Sequence, residues 1–367
     1  MRVLIATPLY PPDIGGPATY TRFLERHLPH HGINFDVVSF HTIRMYPKII
    51  RHGIYFVKLL IRGWNVDIIY ALDPVSVGVP ACIASFFLRK KFYLRVPGDY
   101  AWEQGQQRFG ITDTLDVYRK KSKKPIIVKF LAWIQTCVAR MATQVIVPSE
   151  YMRAVVAEWG VDARTITRIY SALNPIVQSE TKETLRAQFG YSGFVVTTAA
   201  RLVPWKGIES LMEAVRTLHV AGTDITLEVI GDGILRELLE SCISSKDAGG
   251  YIHMRGSVDT QELNERIAAS DAFVLNTSYE GLSHQLLEVM DSGVPIVTTS
   301  VGGNKELITH GQEGLIVPFN DVEAIVKALT VIRTDTHSAT KRAECAQEKV
   351  RQFREEAIIP EIIKLFA

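Results

Sequence analysis

The feature that most constrains this chain is a rhythm. Short β-branched runs alternate with longer helical patterns, and the alternation runs through twice. It reads as βαβ units, whose parallel sheets carry helices on their faces. In the first half the expected strands are Val3–Thr7, Phe35–Phe40, Val66–Ala71, Phe92–Val96 and Val145–Pro148. A helix is expected over Pro125–Met141, where Ile127, Phe130, Leu131, Ile134, Val138 and Met141 keep helical spacing and Pro125 suits a first turn. Near Ile166–Asn174 the pattern changes, and a second domain is expected to begin. Beyond it Phe194–Ala200, Leu227–Gly231, Ile252–Gly256, Ala272–Asn276, Ile296–Thr299 and Leu315–Val317 read as strands. Helices are expected to start near Gly207, Ile234, Thr260, Leu282 and Asp321, and the tail Ala339–Ala367 reads as helical with a break at Pro360. Two domains also suit the 367 residues, since single cores stop growing beyond about 250–300.

Composition narrows the class. With 47% hydrophobic and 22% charged residues, a disordered chain is excluded. The opening MRVLIATPLYPP is too short an apolar run for a signal peptide and meets prolines at once. The longest uncharged apolar stretch, Val79–Leu88, is about half of a bilayer span, so no transmembrane helix is expected. Cys82, Cys137, Cys242 and Cys345 lie far apart, without zinc or disulfide spacing, which points to buried thiols in a reducing, cytoplasmic compartment.

Charge is unevenly shared. Up to Pro175 there are 23 Lys and Arg against 12 Asp and Glu; beyond it, 18 against 27. A first half at +11 suggests an anionic partner: a membrane surface, a phosphorylated lipid or nucleic acid. The charge gathers in Arg119–Lys124 and along a second expected helix. Lys48, Arg51, His52, Tyr55, Lys58 and Arg62 line one side of that helix, and Ile49, Ile50, Ile54, Val57, Leu60 and Ile61 the other. Such helices often lie on anionic membranes, which would make the protein peripheral on the inner face of the cell membrane. The alternative is a solvated face over a domain core. Nucleic acid is set aside, because no recognisable binding motif accompanies the charge.

In open α/β sheets, ligands bind outside the carboxyl ends of the strands, so strand-to-helix loops are where chemistry belongs. Three loops of the second half stand out. In Ala200-Arg201-Leu202-Val203-Pro204-Trp205-Lys206-Gly207, two cations precede a helix start and could hold a diphosphate. Two solvated surface charges are the competing reading. Gly231-Asp232-Gly233 permits close approach of a ligand, or simply a tight turn. In Glu280-Gly281-Leu282-Ser283-His284-Gln285-Leu286-Leu287-Glu288, backbone amides opening a helix could cradle a ligand edge. Glu280 and Glu288 would then lie two turns apart, near one face at different depths. A carboxylate among Leu286, Leu287, Val289 and Met290 costs stability unless it has a partner.

These motifs, with Val301-Gly302-Gly303-Asn304-Lys305-Glu306 and a later G-x-x-G-L-I-V-P, resemble the retaining GT-B glycosyltransferases of family 4 over nearly the full length. The two glutamates with seven residues between them, following the Arg and Lys, are the specific part of the signature. The resemblance implies two Rossmann-like domains facing each other across a cleft: an acceptor-binding domain over 1–174, joined by the tail from about 345 to 367, and a nucleotide-sugar-binding domain over 175–344. The C-terminal helix would cross back to the first domain. It further implies that Arg201 and Lys206 neutralise the donor diphosphate and that Glu288 holds the ribose. Glu280 and the backbone at Gly281, Leu282 and Ser283 would position the donor sugar. The loop Arg255–Val258 would meet the base, mainly through backbone groups. Gly231 and Asp232 join this donor set, as do Gly15 and Gly16 of the Asp13-Ile14-Gly15-Gly16 loop; Asn174 falls at the family's hinge asparagine. No Asp-x-Asp pair occurs, so neither metal nor other cofactor is expected, and cations with helix dipoles would stabilise the leaving nucleotide.

One departure concerns the loop after the fourth strand, where many relatives carry a histidine. Here it reads Arg95-Val96-Pro97-Gly98-Asp99-Tyr100-Ala101-Trp102-Glu103. Asp99 is the nearest substitute as a polar anchor or base for the acceptor hydroxyl; otherwise it caps the next helix. The expected activity is transfer of a hexose-type sugar from a nucleotide-sugar, UDP-linked or else GDP-mannose, to a lipid-linked or saccharide acceptor. An inactive sugar-nucleotide binder or membrane-docking protein of the same fold is the alternative. A nicotinamide dehydrogenase is disfavoured, because G-x-G-x-x-G is missing after the first strand.

Overall fold

The computed structural model describes residues 1–13, 15–43, 45–121, 123–173 and 180–366. Ile14 of the first glycine loop, Ser122 of the basic run and the expected hinge residue Asn174 lie outside them. The chain forms two compact units, Met1–Ala172 with Glu355–Ala367, and Leu173–Arg354.

The first unit opens with β1 (Arg2–Thr7), α1 (Gly16–His27), β2 (Asn34–Ser39) and α2 (Lys48–Gly63). It continues with β3 (Ile68–Ala71), α3 (Gly78–Leu88), β4 (Lys91–Arg95), α4 (Tyr100–Arg108), α5 (Leu115–Lys120) and α6 (Ile126–Met141). Then come β5 (Gln144–Val147), α7 (Glu150–Glu158) and β6 (Ile166–Arg168). The strands pair in parallel in the order β2-β1-β3-β4-β5-β6, so the topology reverses between β1 and β3. Val3 to Ala6 are fully buried without alternation, as a sheet covered on both faces requires.

The second unit holds α8 (Lys182–Phe189), β7 (Phe194–Ala199), α9 (Ile208–Val220), β8 (Ile225–Ile230), α10 (Arg236–Ser245) and β9 (Ile252–Gly256). After these come α11 (Thr260–Ala268), β10 (Ala272–Leu275), α12 (His284–Ser292), β11 (Ile296–Thr299) and α13 (Asn304–Leu307). β12 (Leu315–Val317), α14 (Val322–Thr334) and α15 (Thr336–Val350) close it. Its parallel order β12-β11-β10-β7-β8-β9 is the dinucleotide-fold order, reversing between β7 and β10.

Every expected strand is present, with ends shifted by at most two residues. The missed strand is β6, a three-residue edge too short for a pattern to show. The tail differs more. α15 stays with the second unit, and only α16 (Glu355–Phe366) joins the first, so the return begins at Glu355 rather than near 345. The helical break falls at Arg351–Arg354, not at Pro360, which sits inside α16. A proline there forfeits one helical hydrogen bond, but burial of Ile358, Ile362 and Phe366 against β1, β3 and α1 keeps the helix whole. Glu355 fastens its start, accepting from Arg26 Nη1 at 3.0 Å and lying 2.8 Å from His27 Nε2.

The orientation of α2 runs against the alternative of a solvated basic face over a domain core. Tyr55, from the basic side, is buried with Leu59 and donates to the Val38 carbonyl (2.8 Å). Ile50, Val57 and Ile61, from the apolar side, are exposed.

Candidate functional site

In the second unit the loops after β7 and β10 leave from either side of the topological reversal. They are tied to one another. Asn276, at the end of β10 and 2% exposed, donates to the Gly207 carbonyl (2.8 Å) and to Asn320 Oδ1 (3.0 Å), and accepts from the Asn320 amide (3.0 Å). Thr277 Oγ1 and the Ser278 amide both donate to the Trp205 carbonyl (3.1 and 2.8 Å). Gly207 has φ +50°, and a Cβ there would collide with the Asn276 and Asn320 side chains. Between these stitches Lys206 Nζ bonds Glu280 Oε1, with both side chains largely buried. Arg201 stands exposed at the β7 end, its guanidinium carbon 5.8 Å from the Trp205 ring centroid.

Glycines close the other gaps. A Cβ at Gly231 or Gly233 would overlap the carbonyl oxygens of Ala200 or Leu202, and one at Gly302 or Gly303 those of Glu280 or Gly281. Leu202 donates to the Asp232 carbonyl (2.9 Å), and Gly303 to the Glu280 carbonyl (3.0 Å). The glycines of G-D-G and V-G-G-N therefore serve approach of the chain to itself. Asp232 is turned locally: Oδ1 accepts from the Gly233 amide (2.7 Å), and Oδ2 pairs with Arg236 at 3.3 Å.

The two glutamates do not share a helix face. α12 opens only at His284, capped by Ser283 Oγ accepting from the Leu286 amide (3.2 Å), because the Gly302–Gly303 turn holds the Glu280–Gly281 backbone outside the helix. The Ser283 side chain is thus a cap, while Leu282 is buried. Glu288 lies on α12 itself, little more than one turn past its start. Burial pushes its carboxyl up to about 7, against the bond it accepts from Gln285 Nε2 (3.1 Å). Arg255 is committed elsewhere: it forms a two-point pair (2.6 and 2.9 Å) with Glu228, which is fully buried on β8 and also meets Arg266. Val258 is half-buried in the loop between β9 and α11.

In the first unit Gly15 precedes α1 with φ +149°, and its carbonyl accepts from the Ala18 and Thr19 amides (3.0 and 3.1 Å). Beside Gly16 there is open space where a side chain would be. Asp99 is 2% exposed and caps α4, accepting from the Trp102 amide and from Gln135 Nε2 (both 3.0 Å). Burial raises its pKa above the usual carboxylate range, and the two hydrogen bonds oppose this. The capping alternative describes this geometry. Sequence reasoning missed a further pair: His41 Nδ1 lies 3.0 Å from Asp13 Oδ2, joining the loops after β2 and β1. With the carboxylate as acceptor, Nδ1 is the donor. A separation of 28 residues leaves no local signal. Among the described residues no three His, Cys, Asp or Glu side chains converge as a metal site would require.

Residues 182–351 match the family described as glycosyl transferases group 1. The chain is 32% identical over 174 residues to the lipopolysaccharide core biosynthesis glycosyltransferase LpsE of Rhizobium meliloti, covering 47% of this chain and 49% of that protein. It is 30% identical over 152 residues to a GDP-mannose-dependent alpha-(1-6)-phosphatidylinositol monomannoside mannosyltransferase of Mycolicibacterium smegmatis, 40% of each chain. The chain thus spans about half the length of these curated relatives. The structure superposes on Anabaena HepE in complex with UDP-glucose with a TM-score of 0.79 at 19% identity, covering 100% of this chain and 99% of that one. The fold is GT-B, with two α/β units each built on a six-stranded parallel sheet.

Proposed function

We propose that the protein is a retaining glycosyltransferase that moves a hexose-type sugar from a nucleotide-sugar to a lipid-linked or saccharide acceptor. The observation that carries this is the Lys206–Glu280 pair, held with Arg201 at the reversal point of the second sheet, with Glu288 on the next helix. In the reaction the bond from the sugar C1 to the diphosphate oxygen breaks and a bond from C1 to the acceptor oxygen forms. The acceptor proton leaves with the departing phosphate or passes to a base. Charge develops on the diphosphate, where Arg201 and Lys206 supply fixed cations without a metal ion. Glu280 orients Lys206 and meets sugar hydroxyls, and Glu288 accepts from the ribose. Arg255 and Asp99 support structure through their present partners, and the backbone near Val258 faces the base.

UDP-sugars are favoured, with GDP-mannose second. HepE is described with UDP and UDP-glucose, and the mycobacterial relative is named as GDP-mannose-dependent. The relatives' lipopolysaccharide and phosphatidylinositol mannoside names support an acceptor at a membrane, reached from the cytoplasmic side. Thermal shift with UDP-, GDP- and ADP-sugars should pick out one base. Donor consumption, followed with and without acceptor, should then rise with acceptor and survive EDTA. Binding without turnover for any donor and acceptor pair would leave an inactive sugar-nucleotide binder. Turnover abolished by chelation and restored only by a divalent ion would overturn the metal-free mechanism.

A further inference from the structure

We infer that the outer face of α2, α3 and α6 in the first unit is a bilayer-docking surface, inserting apolar side chains into an anionic phospholipid leaflet. This deepens the reading of a membrane-held acceptor and rests on it for its purpose, though not for its geometry. The three helices are neighbours on one side of the sheet, α3 packing between α2 and α6. From them Ile61, Phe86, Phe87, Phe130 and Trp133 project with 58–71% of their surface exposed, and Trp64 follows α2 at 70%. A groove of about 620 Å³ runs between α2 and α3, lined in part by Phe56 and Leu60. Among the described residues the second unit exposes three large hydrophobic side chains, Val220, Ile234 and Leu238, against sixteen in the first. Scattered apolar residues need no explanation; a contiguous, aromatic-rich face does.

Charge chooses the occupant. α2, α3 and α6 contain no Asp or Glu, while Lys58, Lys129 and Arg140 are exposed on them, Arg62 is exposed but pairs with Asp36 (2.8 Å), and Arg89-Lys90-Lys91 follow α3. Two copies meeting through this face would oppose cation to cation, so a second copy of this chain is a poor fit. An anionic leaflet answers both features: headgroups meet the cations, and the interfacial zone accepts indole and phenyl rings. No helix among the described residues is long and apolar enough to cross a membrane, so the attachment is to one leaflet.

The structure also moves the emphasis away from the run Arg119–Lys124. Arg119 pairs with Glu158 and Asp116, Lys121 with Asp113 at 2.7 Å, and Lys124 lies 3.9 Å over the Tyr118 ring. Their charge is partly answered at home. Insertion by the three helices should therefore outlast screening of the charges.

The test is co-sedimentation of the full chain with phosphatidylglycerol–phosphatidylcholine vesicles and with pure phosphatidylcholine vesicles, at low and high salt. Wild type should bind the anionic vesicles, and high salt should weaken binding without abolishing it. The triple variant Phe86→Ser, Phe87→Ser, Trp133→Ser should lose at least about tenfold in partitioning, as deleting three exposed apolar anchors predicts. Lys120, Lys121, Lys123 and Lys124 changed together to Gln should lose only a few-fold. Bromine-labelled acyl chains should quench wild-type fluorescence more than that of Trp64→Phe with Trp133→Phe. Indifference of wild type to anionic vesicles, equal quenching in both, or a dimer that the triple variant dissolves would each overturn the inference. Donor consumption measured without vesicles should be unchanged in the triple variant. Its absence from wild type while vesicle binding persists would count against the transferase reading and leave the docking surface standing.

Discussion

The loops at the carboxyl edge of the second sheet and those of the first are built differently. In the second unit, backbone presses on backbone at Gly231, Gly233, Gly302 and Gly303, and Asn276 welds three segments together. In the first, Gly16 opens on empty space and His41 meets Asp13 across two loops, with 41% of its side chain exposed. The outer surfaces differ in the same sense, acidic in balance with few apolar side chains on one, cationic and aromatic on the other. Fixed geometry suits the recognition of a constant group such as a nucleoside diphosphate. An open edge and an adhesive outer face suit a partner met at a surface. The contrast is specific enough to be attacked experimentally.

The heaviest blow should come from the fixed side. Arg201→Ala and Lys206→Ala should each lower turnover on the order of 10²–10³-fold, as loss of one preorganised donor to a developing anion does elsewhere. Melting temperatures should stay within a few degrees of wild type. Near-native turnover in a folded double variant would break the assignment of donor chemistry to this edge.

Next come the glutamates, now placed on different elements. Glu288→Gln should raise the dissociation constant for bare nucleoside diphosphate roughly ten- to hundredfold, the cost of a charge-assisted hydrogen bond. Glu280→Gln should leave that constant nearly unchanged and impair transfer. Calorimetry decides, and the assignment fails if Glu280→Gln alone loses nucleotide.

Glu288 sharpens the point through stability. Its carboxyl ionises near 7 in the fold, against an ordinary 4.5. The folded form therefore holds the proton more tightly. The linked stability is present in full below 4.5 and is lost as pH rises through 7, by roughly 3 kcal/mol once ionised. Glu288→Gln, which cannot ionise, should gain several degrees of melting temperature on wild type between pH 5 and pH 8. No gain means that the site relaxes to solvate the carboxylate.

The smallest effect is expected at Asp99. Asp99→Asn keeps a good cap and should retain turnover, while Asp99→Ala should lose about 0.5–2 kcal/mol of stability. A tenfold fall in turnover for Asp99→Asn at unchanged melting temperature would restore its role toward the acceptor.

Much of this was legible beforehand because parallel strands are buried on both faces, so β1 and β10 appear as unbroken apolar runs. The site loops could be read for the same reason, lying at strand ends that the runs locate. Three things could not be read. α2 is sharply two-sided, but periodicity tells only that the sides differ and not which one the sheet covers: Tyr55 on the basic side is buried and Ile61 on the apolar side is exposed; the absence of any acid along it was the better signal. Glu280 was placed on a helix that Ser283 starts later, a fact set by contact with Gly302 and Gly303, some twenty residues on. The Asp13–His41 pair depends on β1 and β2 lying side by side, which no local window contains.

The return of α16 bears on the order of synthesis. When residue 172 leaves the ribosome, the first sheet has all its strands but lacks the helix whose Phe366 stacks on Tyr93 (6.1 Å between ring centres) and meets Tyr70 edge-on. The second unit, by contrast, is continuous in sequence and is finished before those residues are made. The nascent chain therefore completes the second unit before the first and carries an uncovered apolar seam along β1, β3 and β4 until α16 emerges, a window in which a chaperone has something to hold.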